Sequence, residues 1–280
     1  ASANLKDFEK SPNTNVVQSL QGTVPGLNVG QVTTAGATPS ISIRGTNTLS
    51  GNKNVLIILD GIIYTSSLSS INPNDVASID VLKDASATAV YGAQAANGVL
   101  LITTKKGKVG QTRINFSSSY TMSNPTKNLH PMNREEYLSF TKEYWYDKAY
   151  TGPDYTTPNP DFRVADYMPD AVMLDNTQAD GLSTYDWDWW NEGTQTASIF
   201  ENKLSITGGT EAVSYLISYA NTDQKGFMVN DDFKRNSVRI NLDTKPYKWL
   251  DLGMQTFASF VNQDGASPGV WDIITSNPLT

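Results

Sequence analysis

The sequence predicts a compact α+β domain followed by antiparallel strands of a transmembrane β-barrel, an incomplete barrel within these 280 residues. Glycine-rich turns and short apolar runs fill residues 1–108. Residues 109–280 instead alternate polar and apolar side chains, in segments of about ten residues, the length of a tilted strand that crosses a bilayer. Short and long connections between those segments complete the pattern. We therefore place a domain boundary near residue 108.

Apolar runs predict the strands of the first domain. They occupy residues 27–29, 41–44, 55–59, 79–82 and 99–104. The run 55–59 is continuously apolar, which favours a central strand buried on both faces.

Capping residues predict short helices between these strands. Asn13 or Thr14 can begin a helix that ends at Gly22, and Asp84 can begin a helix of small residues that ends at Gly92. Asn72, followed by a proline, opens a further helix of one or two turns.

Five later segments alternate with a period of two, which places apolar side chains on one face of each strand. The predicted lipid-facing residues are Ile114, Phe116, Tyr120 and Met122; Phe200, Leu204 and Ile206; Val213, Tyr215, Ile217 and Tyr219; Val238, Ile240 and Leu242; and Leu250, Leu252, Met254 and Phe260. Phe257 and Val261 depart from the alternation of the fifth segment. The opposite faces are rich in serine, asparagine and threonine, as in a wet barrel interior.

The connections alternate in length. Residues 208–211 and 243–248 form short links, whereas residues 124–198 and 221–233 are long. Outer-membrane barrels alternate short periplasmic turns with longer extracellular loops, so we expect the long connections to face outward. A helix is predicted at 134–145 within the first of them.

An ordered series of motifs resembles the SusC-like (SusC/RagA) branch of the TonB-dependent outer-membrane transporters. The motifs lie at residues 19–29, 43–45, 59–61, 71–73, 81–92 and 96–107, with further matches at 185–187 and 205–209. The resemblance implies a plug domain over 1–108 and the N-terminal part of the barrel over 109–280, with a long first extracellular loop at 124–198. Such barrels contain about 22 strands. Five strands leave two open edges, so we expect the sequence to be part of a longer protein. Residues 1–12 contain no recognisable Ton box, the energy-coupling segment.

What the resemblance implies about function is active import of a nutrient across the outer membrane of a Gram-negative bacterium. The implied partners are a SusD-like surface lipoprotein, the TonB complex, outer-membrane lipid, and a glycan or oligopeptide cargo. The alternative from another class is a soluble β-rich binding or adhesion module, in which the alternating strands form a sandwich. The alternation alone does not separate the two, and the motif series favours import.

Two polar plug loops, at 46–54 and 62–70, are the predicted cargo-facing surface because they are rich in glycine and serine and lie beneath the expected extracellular opening. The candidate binding residues are Asn47, Asn52, Tyr64 and Thr65. Trp187, Trp189 and Trp190 offer a second surface that can stack on a sugar ring, although an interfacial aromatic belt explains them at least as well.

The composition argues against other functions. The 21 basic and 28 acidic residues give a net charge of −7, which disfavours nucleic acid as a partner. One histidine, His130, and no cysteine exclude a zinc site with two histidines or any thiolate among these residues. We therefore predict no enzyme, no cofactor and no metal site.

Isolated charged residues have structural explanations. Arg44 and Lys83 are expected to pair within the plug or with the barrel wall, and Asp60 to form a turn. Asp231 and Asp232 are expected to be solvated loop acids, with a calcium site as the minor alternative.

Overall fold

The structure is a computed structural model that describes residues 2–3, 13–43, 54–83, 90–125, 129–167, 184–265 and 269–279. The chain forms two compact units. The first comprises residues 1–123, 197–226 and 230–265, and the second comprises residues 124–196, 227–229 and 266–280. No helix in the described ranges is long and apolar enough to cross a membrane.

The plug domain is built on a small mixed sheet. Its strands and those of a separate hairpin are β1 (Ser2–Ala3), β2 (Leu27–Val29), β3 (Ile41–Ile43), β4 (Leu56–Leu59), β5 (Ile62–Ile63), β6 (Val76–Leu82) and β7 (Val99–Thr104). The sheet has the order β1-β6-β7-β4-β5, and β2 pairs with β3. Among the strands that the structure describes, only β4 and β7 run parallel. All five predicted strands of this domain are present, with boundaries that differ by a few residues.

The core of the plug lies between this sheet and the short helical turns that precede it. Leu20, Ile71, Ile79, Leu100 and Ile102 are almost completely buried there. The predicted central strand is internal in the sheet, and its last two residues are buried while its first two are half-buried.

The helix predicted to begin at Asn13 or Thr14 is wrong in extent. Only a 3₁₀ turn, Gln18–Leu20, forms. The side chain of Asn15 accepts a hydrogen bond from the backbone N–H of Val17 at 2.9 Å, a local bond that competes with a longer helix. The helix that was predicted to begin at Asp84 lies largely outside the described residues; its end is helical at residues 90–91 and continues into the 3₁₀ turn Gly92–Ala95.

Five long antiparallel strands follow the plug. With two short strands, β9 (Tyr150–Thr151) and β10 (Thr157–Pro158), between the first and second of them, they are β8 (Gly110–Ser123), β11 (Ala197–Gly209), β12 (Val213–Lys225), β13 (Asp232–Tyr247) and β14 (Leu250–Asp264). They form one sheet in the order β14-β13-β12-β11-β8.

The register of this sheet aligns the predicted apolar residues in rows. Ile206 lies opposite both Ile114 and Ile217, and Ile217 lies opposite Ile240. All of these side chains lie on the face away from the plug, whereas Arg235 and Arg239 of β13 lie on the plug-facing side. The alternation read from the sequence is confirmed as a two-faced sheet.

One connection differs from its prediction. Residues 221–233 were expected to form a long loop, but β12 continues to Lys225 and the connection is only 226–231. The strand extends because its polar end still pairs across the sheet: Asn221 lies opposite Asn236, and Asp223 lies opposite Lys234 at an ion-pair distance of 3.5 Å. Polar cross-strand pairs support a strand without an apolar face.

The second unit contains the long connection 124–196. Its helices are α1 (Arg134–Tyr144), α2 (Tyr146–Ala149), α3 (Val164–Tyr167), α4 (Trp189–Gly193) and α5 (Val270–Thr275). Asn133 and Glu136 form a capping box at the start of α1. The helix agrees with the sequence prediction of a helix at 134–145.

The tryptophans of this unit have separate roles. Trp190 is buried against Met228 and Ile273, so its ring is not available to stack on a sugar. Trp189 donates its indole N–H to Asn277 O at 2.8 Å, and its ring stacks on Trp187 with centroids 5.9 Å apart. Of the three, Trp187 is the most accessible.

Candidate functional site: the surface between the plug and the strands

An open cleft of about 570 Å³ lies between the plug and the inner face of β14. Its lining consists of Tyr64, Ser66, Ser67, Ser69, Ser70, Phe257, Ser259, Val261 and Gln263. All of these side chains are uncharged. Hydroxyl groups from both the plug and the strand face the cleft, with one aromatic ring on each side.

Tyr64 is the predicted binding residue that lines this cleft. Its hydroxyl lies 2.5 Å from Ser70 Oγ and donates toward Ser67 O at 3.2 Å, while its ring lies 6.3 Å from that of Phe257. Ser67 caps the 3₁₀ turn Leu68–Ser70 by accepting from the N–H of Ser69. These bonds hold the serine-rich loop in one conformation beneath the tyrosine.

The other predicted binding residues are not all brought together. Thr65 is exposed beside Tyr64 but does not line the cleft. Asn47 and Asn52 lie outside the described residues, as does Arg44. The strand side of the cleft was missed, although its signal was present: Phe257 and Val261 are the residues that broke the alternation of the fifth segment.

Below the cleft, Arg239 of β13 reaches between two plug carboxylates. Its Nη1 lies 3.6 Å from Asp60 Oδ2, and its Nε lies 3.6 Å from Asp75 Oδ2. Nη1 also donates to Thr104 Oγ1 at 3.1 Å. The guanidinium lies 5.2 Å from the centre of the Phe257 ring, so one aromatic side chain contacts both the cleft and this charge cluster.

The two carboxylates are held by further donors. Asp60 accepts from the backbone N–H of Thr104 at 2.8 Å and from its hydroxyl at 2.7 Å. Asp75 accepts from the Ser218 hydroxyl of β12 at 2.8 Å. Asp60 also occupies the predicted turn, with a positive φ of 49°. The turn prediction is confirmed, and the ionic role adds to it.

Arg235, two inward positions away on β13, binds carbonyl groups instead. Its Nη1 donates to the backbone oxygens of Thr14 and Ser69 at 2.9 Å and of Ile71 at 3.2 Å. Its Nη2 donates to Thr222 Oγ1 at 3.3 Å. One fully buried guanidinium therefore joins two separate plug segments to the sheet.

A third contact holds the tip of the plug loop between β2 and β3. Both carboxylate oxygens of Asp231 accept from the N–H of Ala35 at 2.9 Å, and Gln263 Nε2 donates to Ala35 O at 2.9 Å. The N–H of Gly36 donates to Gln224 Oε1 at 3.2 Å. The ring of Phe233 lies so close to Gly36 that a Cβ there would be 1.9 Å from it.

The prediction that Asp231 is a solvated loop acid is wrong. Asp231 is completely buried, and this burial raises the pKa of its carboxyl group. The bond from Ala35 N–H acts in the opposite direction and lowers the pKa, and the neighbouring charge of Asp232 raises it. The sequence alone does not show this burial, because the partner is 196 residues away.

Lys83 conforms to its structural expectation, since its ammonium donates to the backbone oxygen of Pro25 within the plug. Among the described residues, His, Cys, Asp and Glu side chains nowhere gather in a group of three or more that could hold a metal ion. His130 lies 3.6 Å from Glu136 at the exposed start of α1. The polar and ionic groups of this surface therefore attach the plug to the sheet, and a neutral cleft lies beside β14.

Comparisons with known proteins show which family has this arrangement. Residues 2–99 match the model of the TonB-dependent receptor plug domain. The chain is 31% identical to the TonB-dependent receptor SusC of Bacteroides thetaiotaomicron over 84% of its own length and 22% of that protein. It is also 31% identical to the TonB-dependent receptor P26 of Formosa agariphila, over 99% of its length and 26% of that protein.

Solved structures agree. The RagAB peptide importer in its closed-closed state superposes with a TM-score of 0.77 at 30% identity, covering 100% of this chain and 33% of that chain. The siderophore receptor PirA from Acinetobacter baumannii superposes with a TM-score of 0.53 at 16% identity, over 92% of this chain and 31% of that one, and shares the fold. This chain spans between about a fifth and a third of the length of these proteins.

The plug-domain match and the similarity to RagAB identify this arrangement as part of a TonB-dependent receptor. Within that class, the chain belongs to the SusC-like branch, and it contains the plug and the first long strands. TonB-dependent receptors are outer-membrane proteins of Gram-negative bacteria.

Proposed function

We propose that the protein containing this chain actively imports a nutrient across the outer membrane. The observation that carries the proposal is the polar attachment of the plug. Arg235, Arg239 and Asp231 join it to the sheet through hydrogen bonds and ion pairs. Water can replace such contacts at low net cost once the surfaces part, which suits a plug that must be displaced and reseated.

The outer face of the sheet supports a membrane location. Ile114 and Phe116 are exposed by 67% and 70%, and the predicted lipid-facing residues of the neighbouring strands continue the same apolar surface. A soluble module would leave this wide surface in water, which makes the soluble binding or adhesion alternative unfavourable. The sheet instead fits the lipid-facing wall of a barrel.

The lining of the cleft suggests the chemical class of the cargo, because we propose that the cleft faces the outside of the cell. Its hydroxyl, amide and aromatic groups suit an uncharged ligand such as a glycan or the backbone of an oligopeptide, because both offer hydrogen-bonding groups along an otherwise neutral chain. The structurally similar RagAB is a peptide importer. A SusD-like surface lipoprotein above the cleft and the TonB complex below the plug complete the proposal, and no catalytic role is included.

The test is uptake of labelled glycans and peptides by cells that express the full-length receptor. We expect uptake of one class to require the receptor and to stop when a protonophore removes the energy supply of the TonB complex. Deletion of the paired lipoprotein should reduce it, while a monosaccharide that enters through porins serves as the control. Uptake that continues without the receptor or without the proton gradient contradicts the proposal.

A further inference from the structure

The plug sheet covers one of its two edges and leaves the other open. At the first edge, β1 pairs with β6. At the second edge lies β5 (Ile62–Ile63), which among the described residues pairs with β4 alone. An edge strand is a template for pairing with another chain unless charge, proline or a bulge prevents it. Because β5 contains neither charge nor proline and pairs in regular register, its open side can accept a further strand.

The hydrogen bonds of the β4–β5 hairpin show which backbone groups face the open side. The N–H of Tyr64 donates to Ile57 O of β4 at 2.9 Å. Residues along an antiparallel strand alternate between those that bond to the partner strand and those whose backbone groups point away from it. Ile63, which lies opposite Ile58, is therefore the residue of β5 whose N–H and C=O point away from β4.

The open edge is fixed at both of its ends. Asp60 and Gly61 form the turn that precedes β5, with positive φ of 49° and 89°, and the Asp60 carboxylate lies 3.6 Å from Arg239. At the other end, the hydroxyl of Tyr64 lies 2.5 Å from Ser70 Oγ. A site that is already ordered loses little conformational entropy when it binds a partner. The edge is therefore preorganised for pairing.

The strands of a barrel wall do not supply the partner of this edge. In a transmembrane barrel the backbone groups of each strand are paired with those of its neighbours in the wall, so they are not free to pair with β5. The side chains of β5 add apolar surface to the edge, with Ile62 exposed by 74% and Ile63 by 48%. The chemistry of the edge therefore fits a separate extended chain that carries both N–H and C=O groups. A peptide has these groups in regular alternation, and a glycan does not.

The open edge is continuous with the cleft. Tyr64 directly follows β5 and lines the cleft together with Phe257 and Val261 of β14. Successive side chains of a strand point to opposite faces, so a chain paired with β5 places every second side chain on the face of Tyr64. The cleft, with a volume of about 570 Å³ and uncharged walls, lies on that face. It can receive the uncharged side chains of such a chain.

We propose that the receptor binds an oligopeptide as an added β-strand on β5, with every second peptide side chain in the cleft. The inference rests on the proposed import function and selects peptide over glycan as the cargo class. Hydrogen bonds to Ile63 hold the peptide backbone, and the cleft beside Tyr64 selects the side chains. Because all peptides share the same backbone, such a site accepts many sequences.

Retention of defined probes by the purified full-length receptor, together with its paired lipoprotein, tests the cargo class. The probes are a tryptic digest of casein and a mixture of maltooligosaccharides, and mass spectrometry identifies what stays bound. We expect peptides to be retained and oligosaccharides to be washed away. Retention of oligosaccharides alone overturns strand addition and leaves the import proposal intact, whereas retention of neither class contradicts both.

A retained peptide, synthesised again with one N-methyl group at a time, tests the backbone pairing. Methylation of the nitrogen whose N–H donates to Ile63 O should weaken binding about fivefold through the loss of one neutral hydrogen bond. Methylation of either adjacent nitrogen should have little effect, because those N–H groups point away from β5. Equal losses at consecutive nitrogens, or no loss at any nitrogen, overturn the proposal.

Ile63→Pro tests the same pairing from the receptor side. An edge strand tolerates proline where the N–H faces outward, and this variant removes that N–H. Ile63→Ala is the matched control, because it also shortens the side chain but keeps the N–H. We expect Ile63→Pro to bind the retained peptide about fivefold more weakly than Ile63→Ala, with equal protease resistance of the plug in both variants. Equal affinities would show that the peptide does not pair with this edge.

Discussion

Arg239 of the fourth long strand lies 3.6 Å from Asp75 of the plug, with the carboxylate of Asp60 at the same distance on its other side. The Arg239 side chain is only 4% exposed. A buried cation between two buried anions is stable only as a set, because removal of one member leaves an uncompensated charge out of water. Seating of the plug therefore depends on all three residues together.

The first prediction concerns that set. Arg239→Gln should destabilise the seated plug by about 3 kcal/mol, since two buried carboxylates lose their cation. The triple variant Arg239→Gln/Asp60→Asn/Asp75→Asn removes the charges together and should recover most of that loss. Denaturant titration of the purified full-length receptor, followed by protease sensitivity of the plug, measures both. Equal destabilisation of the single and triple variants would show that charge balance is not what holds the plug here.

The second prediction concerns Asp231. Asp231→Ala removes the acceptor for the N–H of Ala35 and leaves it buried, which should cost about 1–3 kcal/mol. Asp231→Asn keeps an acceptor and removes the buried charge, so it should be close to neutral. The midpoint of plug unfolding, compared between the two variants at neutral pH, measures the difference.

The same residue predicts a pH dependence. Because burial raises the pKa of Asp231 in the folded state, the folded state holds the proton more tightly than the unfolded chain. Its contribution to stability is fully present below the unfolded pKa of about 3.9 and is lost as pH rises through the folded pKa. Plug stability should therefore fall with rising pH over this window, and Asp231→Asn should flatten that part of the profile. A wild-type profile parallel to that of the variant contradicts the assignment.

The sequence predicted local features, such as the face of a strand or a turn, but not which distant residues are in contact. The alternation around Arg239 placed it on the inner face of its strand, and the Asp60-Gly61 pair predicted a turn. Neither pattern showed that these residues meet, because they are 179 positions apart in the chain. The prediction for Asp231 was wrong for the same reason. An acidic residue in a connection between strands is expected to be solvated unless the loop that covers it is known.

The end of β12 shows a second feature that a single sequence does not predict, the length of a strand. The apolar alternation stops near residue 220, and a loop was predicted from there. Backbone pairing continued to Lys225 because the partner strand offered Asn236 and Lys234 as polar neighbours. Strand length depends on the partner as well as on the strand, and a single sequence does not identify the partner.

The third prediction compares two glycines. Gly22 and Gly36 both have positive φ, 73° and 65°, but a Cβ on Gly22 meets nothing within 4 Å, whereas one on Gly36 meets the ring of Phe233. Gly22→Ala should cost about 1 kcal/mol through backbone strain alone. Gly36→Ala should cost that plus about 1–3 kcal/mol for overpacking. Thermal unfolding of both variants tests this, and Phe233→Leu combined with Gly36→Ala should recover part of the excess; equal losses for the two glycines would show that the ring does not confine the loop.

The last prediction concerns cargo. Tyr64 lines the cleft and orders its serine-rich loop, while Thr65 is its exposed neighbour outside the lining. If cargo binds in the cleft, Tyr64→Ala should weaken binding by tens-fold, because it removes a stacking face and a hydroxyl group that are each worth on the order of 1 kcal/mol. Thr65→Ala is the matched control and should bind cargo normally. Calorimetry on the full-length receptor with the imported glycan or peptide measures both affinities, with circular dichroism to show that the fold is intact. Normal affinity in Tyr64→Ala, or a loss confined to a combined Asn47 and Asn52 variant, would transfer recognition to the other plug loop and away from this cleft.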